Sequence, residues 1–115
     1  MMNPLIKERW CAALESGDYE QGSYFLVKDN TYFCCLGVLC DILDIPRTDV
    51  IGTVHGHFAG ESEALPRLAM DMAGLTEANP HITTDDGVTT LAELNDSGLY
   101  TFADIAAEIR KSFTI

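Results

Sequence analysis

The spacing of apolar residues predicts helices at both ends of the chain. Asn3 can cap a first helix that has Pro4 at its first position. Ile6 and Trp10 follow at the i, i+4 spacing of one helical face, so we expect the tryptophan to pack in the core. Near the other end, Thr101 begins a Thr-x-x-Asp variant of the capping box. The apolar stripe of this last helix consists of Phe102, Ile105, Ala106, Ile109 and Phe113.

Two further helices are predicted in the middle of the chain. Residues 34–44 are apolar on nearly every side and are followed by Pro46, which indicates a central, buried helix that ends before the proline. Leu65–Met72 has helical spacing, and Gly74 is suited to terminate it. The segment around Asn95-Asp96 is predicted to be a turn, because Ser97-Gly98 follows at once.

Short β-hairpins account for the aromatic and β-branched segments between these helices. Ser23–Phe33 is interrupted by Asp29-Asn30, and Ile82–Thr90 is interrupted by Asp85-Asp86-Gly87. Residues 47–64 predict an irregular loop or a loose hairpin, with a weak strand signal at Val50–Val54. The sequence therefore predicts one compact α+β domain over residues 1–115, with about four helices and two short β-hairpins.

The net charge of the chain limits the classes of partner that it is expected to bind. Seven lysines and arginines against 18 aspartates and glutamates give a formal net charge of −11. The basic residues are scattered, so the phosphate attraction that dominates nucleic-acid binding is missing and direct binding of DNA or RNA is not expected. The charged start of the chain and the lack of a long apolar run favour a cytoplasmic protein, with no membrane partner.

The four cysteines are predicted to be structural thiols. Cys34 and Cys35 are adjacent, which is poor geometry for a disulfide framework. No Cys-x-x-Cys pair is present, so neither a metal nor another cofactor is expected. A cysteine hydrolase stays as an alternative, because a thiol at a helix start can have a lowered pKa and His57 or His81 could serve as its base. Packing is the favoured role, since free cysteines are among the most buried residues.

Through a set of motifs spread along nearly its whole length, the chain resembles a group of small proteins encoded by bacteriophages and prophages. The motifs are Trp10, Ser16-Gly17-x-Tyr19-x-Gln21-Gly22, Cys34-Cys35-Leu36-Gly37-Val38-Leu39-Cys40, Leu65-Pro66, Leu94-Asn95-Asp96 and Phe102-x-x-Ile105-Ala106. The resemblance implies a phage setting, in which short accessory proteins often bind or inhibit a component of host defence. It implies no particular chemistry.

Five polar or titratable residues are left without an obvious structural role and form the predicted ligand site. They are Tyr19, Gln21, His57, Asn95 and Asp96. The structural alternative, favoured for Asn95 and Asp96, is local capping and turn formation. We expect the turn at 19–21, the loop at 55–60 and the turn at 95–96 to converge, because polar residues in loops often carry binding sites.

Three functions are compatible with this sequence. The first is a non-enzymatic counter-defence protein, expected to self-associate in the host cytoplasm, that sequesters a nucleotide-type immune signal. Its phosphates would lie at the helix starts near Cys35–Gly37 and Thr101, with Lys28, Arg47 or Arg67 supplying positive charge. The second is an acidic inhibitor that docks on a basic surface of a host defence protein, and the third is the cysteine hydrolase.

Overall fold

The computed structural model of the protein describes residues 2–29, 31–49 and 55–112. Within these ranges the helices are α1 (Pro4–Glu15), α2 (Cys35–Ile42), α3 (Arg67–Ala73), α4 (Leu91–Asp96) and α5 (Phe102–Ser112). The strands are β1 (Glu20–Gln21), β2 (Val27–Lys28), β3 (Tyr32–Phe33), β4 (Arg47–Asp49), β5 (His55–Phe58), β6 (His81–Thr84) and β7 (Gly87–Thr90).

The helix starts that the sequence predicts are capped as expected. The Asn3 carboxamide oxygen accepts hydrogen bonds from the backbone amides of Leu5 and Ile6, at 3.0 and 3.1 Å. At the start of α5, the Thr101 hydroxyl accepts from the Asp104 amide, and the Asp104 carboxylate accepts from the Thr101 amide. This reciprocal pair is a capping box, which confirms the Thr-x-x-Asp prediction.

The strands form one five-stranded and one two-stranded sheet. The larger sheet has the order β1-β3-β2-β5-β4, in which β1 and β3 are parallel and the other neighbours are antiparallel. Strands β6 and β7 form a separate hairpin. The predicted α+β class and both predicted hairpins are confirmed. The loose hairpin predicted within residues 47–64 is present as β4 and β5, whereas Val50–Val54 lies outside the described residues.

The central helix α2 is the core of the domain. All six residues of Cys35–Cys40 are buried, α1 and α4 pack against this helix, and α5 packs against α1 and α4. A β-carbon added at Gly37 would lie 1.8 Å from the Leu26 carbonyl oxygen. The chain entering β2 therefore crosses directly over the helix, at a distance that glycine alone permits.

The prediction of a turn at Asn95-Asp96 is wrong, because both residues lie in the last turn of α4. The Thr90 hydroxyl caps this helix by accepting from the Glu93 amide at 3.2 Å. Leu91 and Leu94 are buried, so the short helix is held by packing and its cap. In the described part of the chain, no helix is both long enough and apolar enough to cross a membrane.

Candidate functional site

Asn95 is the centre of a buried hydrogen-bond network. Its side chain is 2% exposed, and its oxygen accepts from the Cys35 backbone amide at 3.1 Å and from the Gln21 Nε2 at 3.3 Å. Its Nδ2 donates to the Gly22 carbonyl at 2.7 Å and to the Asp96 carboxylate at 3.1 Å. Both amide atoms are thus engaged within the fold, and Asn95 links α4 to α2 and β1.

Gln21 and Asp96 extend this network to the surface. Gln21 Nε2 also donates to the Tyr100 carbonyl at 3.0 Å, and the Asp96 carboxylate accepts from the Tyr24 amide at 2.9 Å. The structure therefore brings together three of the five residues of the predicted site. Their hydrogen bonds are made to the chain itself and join segments far apart in the sequence, which differs from the local capping and turn formation that the sequence left open as the alternative.

Tyr19 contacts a different set of residues from these three. Its hydroxyl donates to Asp41 Oδ2 at 2.5 Å, and its ring meets Phe33 edge-on with 5.1 Å between the centroids. Burial, followed by the hydrogen bond to the Asp41 carboxylate, raises the pKa of the phenol above its usual value. Tyr19 and Asp41 line an open depression that also includes Arg47.

His57 is not placed beside the other predicted residues. It lies in β5, opposite Thr48 of β4. Two strands, β3 and β2, separate β5 from the strand that carries Gln21. The expected convergence of residues 19–21, 55–60 and 95–96 is therefore present for Gln21, Asn95 and Asp96, and His57 is separated from them by the sheet order.

The four cysteines are free and buried. Burial raises the pKa of the Cys11 thiol and of the Cys34 thiol to about 11, and raises that of Cys35 well above its usual range. The Cys35 thiol donates to the Leu91 carbonyl at 3.6 Å. A protonated thiol held by a backbone carbonyl is a poor nucleophile, which disfavours the hydrolase alternative.

The helix starts proposed for phosphate binding are occupied by the protein's own groups. At α2, the Cys34 sulfur accepts from the Gly37 amide, and the Asn95 oxygen accepts from the Cys35 amide. At α5, the carboxylate of Asp104 occupies the first turn, where it would repel an anion. These contacts argue against a phosphate at either helix start. Within the described ranges, no three histidine, cysteine, aspartate or glutamate side chains are arranged to hold a metal ion.

A groove that the sequence did not predict lies between the β6–β7 hairpin, α4 and residues 97–100. Its volume is about 280 Å³. Two strongly exposed apolar side chains line it, Val88 at 72% and Leu99 at 82%, and Leu94 contributes a buried apolar surface. The signal in the sequence was a leucine directly after the polar turn Ser97-Gly98, a position where burial is not expected.

The groove is acidic as well as apolar. Asp86 and Glu93 line it, and the described residues that line it include no lysine or arginine. One wall is fixed by hydrogen bonds, because the Ser97 hydroxyl donates to the Leu94 carbonyl at 2.8 Å and accepts from the Leu99 amide at 3.1 Å. We call this surface the groove, and Val88 and Leu99 form its exposed rim.

Comparison with known proteins identifies the family to which the chain belongs. Residues 2–113 match the model of a domain of unknown function, DUF8296, and the chain is a member of that family. No curated protein matches the chain significantly. No solved structure matches it significantly either.

Proposed function

We propose that this domain is a non-enzymatic binding protein whose groove receives a basic, amphipathic segment of a partner protein. The observation that supports this most strongly is the pairing of two highly exposed apolar side chains, Val88 and Leu99, on one groove with acidic walls. Large apolar side chains exposed together on a soluble domain mark interaction surfaces more often than isolated ones do.

Charge selects the partner's chemistry. Asp86 and Glu93 line the groove, Asp85 lies in the adjoining hairpin turn, and the whole chain carries a formal net charge of −11. A segment with lysine or arginine beside its apolar residues would place its cations against these carboxylates and its apolar side chains on Val88 and Leu99. An anionic ligand would meet repulsion instead.

This proposal assigns the acidic-inhibitor hypothesis to one surface, the groove. The resemblance to phage proteins suggests that the partner is a component of the host's defence. Sequestration of a nucleotide-type signal stays a prediction, and it is the weaker one because the helix starts offered for its phosphates already carry Asn95, Cys34 and Asp104.

A synthetic amphipathic peptide of lysine and leucine tests the proposal by calorimetric titration. Leu99→Ser should weaken its binding by about tenfold or more, since an anchor side chain at an interface contributes about 1.4 kcal/mol or more. Leu5→Ser is the matched control, because Leu5 is 76% exposed and does not line the groove. It should bind as the parent protein does.

A comparison peptide separates binding in the groove from general charge attraction. A lysine and serine peptide of equal charge should bind much more weakly, because it lacks the apolar side. Equal binding of both peptides, or equal losses in Leu99→Ser and Leu5→Ser, would show that the contact is merely electrostatic and would rule out the groove as a docking site.

A further inference from the structure

Tyr24 has an unusual backbone conformation. Its φ is +72°, and the Phe25 amide donates to the Ser23 carbonyl at 2.9 Å across it. A positive φ with a hydrogen bond between residues two apart defines a classic γ-turn, which is rare and strained. The other non-glycine residues with positive φ in the described chain lie in turns or at a helix end: Asp29, Asp44 and Ala59.

The strained turn is held in place by the surrounding fold. On one side, the Gly22 amide donates to the Phe33 carbonyl at 2.8 Å, and the Gly22 carbonyl accepts from Asn95. On the other side, Leu26 is fully buried and its amide donates to the Ser62 carbonyl at 2.7 Å. The Asp96 carboxylate accepts from the Tyr24 amide itself. The fold thus maintains a costly conformation at a residue whose side chain is 68% exposed.

Two hydrogen bonds connect the γ-turn and the residues before it to the wall of the groove. Gln21, three residues before Tyr24, donates to the carbonyl of Tyr100, which lines the groove. Asp96, which holds the Tyr24 amide, directly precedes Ser97, another lining residue. Strained backbone at an exposed aromatic residue is typical of a binding position. If the side chain were dispensable, glycine at this position would relieve the strain.

We propose that Tyr24 is a contact residue of the docking surface and that its ring receives a lysine or arginine side chain of the same basic segment. This rests on the proposed function of the groove. The exposed π-face of a tyrosine attracts a cation, and the nearby carboxylate of Asp96 adds to the negative potential there. Gln21, Asn95 and Asp96 then act as positioning residues, because their hydrogen bonds join the turn to the groove wall.

Tyr24→Gly tests this inference with the lysine and leucine peptide, measuring both affinity and Tm. Glycine adopts the positive φ without strain, so the Tm should equal or exceed the parental value. Loss of the ring should weaken binding by about twofold to fivefold, in the range of one exposed cation–π contact. Tyr24→Phe keeps the ring and should bind within about twofold of the parent. The control Tyr32→Ala removes a partly exposed tyrosine from β3 and should leave affinity unchanged.

The outcomes distinguish this inference from the proposed function. If Leu99→Ser loses binding while Tyr24→Gly binds as the parent does, the groove is still the docking site and the proposed role of Tyr24 is wrong. If the parent protein does not bind the peptide, both fail. A lower Tm in Tyr24→Gly would show that the strain relieved at this position is smaller than the entropy cost of glycine, and would overturn the inference as well.

Discussion

At the scale of single residues, Asn95 has the largest structural role among the residues of the predicted site. Asn95→Ala would leave the buried Cys35 amide and the half-buried Gly22 carbonyl without their partner. Each buried polar group left unsatisfied costs about 1–3 kcal/mol, so we expect the free energy of unfolding to fall by roughly 2–4 kcal/mol. Urea unfolding measures the change.

Asn79→Ala is the matched control for this substitution. The Asn79 side-chain oxygen accepts from the Ala92 amide at 3.1 Å in a half-buried setting, so its loss should cost about 1 kcal/mol. An Asn95→Ala protein as stable as the Asn79→Ala protein would contradict the central role of the network. We therefore expect binding assays on Asn95 variants to report stability as well as affinity.

The sequence singled out Gln21 and Asn95 as candidate site residues, but it did not predict that they hydrogen-bond to each other. They are 74 positions apart, and their hydrogen bond depends on β1 pairing in parallel with β3 and on α4 packing against α2. No local pattern encodes those long-range arrangements. The same holds for the separation of His57, which follows from the order of strands in the sheet.

At the scale of elements, the close crossing of the chain over α2 makes Gly37 hard to replace. In Gly37→Ala, the new methyl group would overlap the Leu26 carbonyl, and both partners are buried backbone. We expect a loss of about 3 kcal/mol or more in the free energy of unfolding, because neither segment can move without disturbing the core. Thermal and urea unfolding check this.

Gly17→Ala separates steric overlap from backbone preference. Gly17 has a φ of +82° and nothing within 4 Å of the position that a β-carbon would take. Its replacement should therefore cost about 1 kcal/mol, from the positive φ alone. If Gly37→Ala were as mild as Gly17→Ala, the tight crossing over α2 would be wrong.

Local signals predicted most of the elements, because caps and long apolar stripes act within one segment. The helix stripe around Trp10 and the capping box at Thr101 are examples. Helix α4 was missed because six residues are too few for a helical period to emerge, and its Asn-Asp-Ser-Gly end resembles a turn. The parallel pairing of β1 with β3 has no signal in a two-residue strand.

At the scale of the whole molecule, the buried thiols make the free energy of unfolding depend on pH in the alkaline range. Burial raises the pKa of Cys11 and Cys34 from 9.0 to about 11, so the folded state keeps protons that the unfolded chain loses. This contribution to stability is fully present below pH 9 and is lost as the pH rises towards 11. We expect urea unfolding to show a falling free energy across that interval.

Cys34→Ser isolates one thiol from the other groups that titrate at high pH. Serine can still accept the hydrogen bond from the Gly37 amide at the helix start, but it does not ionise in this range. The alkaline fall in stability should therefore be smaller in this variant than in the parent. An unchanged fall would mean that Cys34 does not carry a raised pKa.

The groove and its basic partner are tested most directly by a two-dimensional NMR titration of the isotope-labelled protein with the lysine and leucine peptide. We expect the largest shifts at the methyl groups of Val88 and Leu99 and at the amide of Tyr24, with affinity falling as salt is raised. Shifts spread evenly over the acidic surface, or centred on the depression beside Tyr19 and Asp41, would contradict docking in the groove.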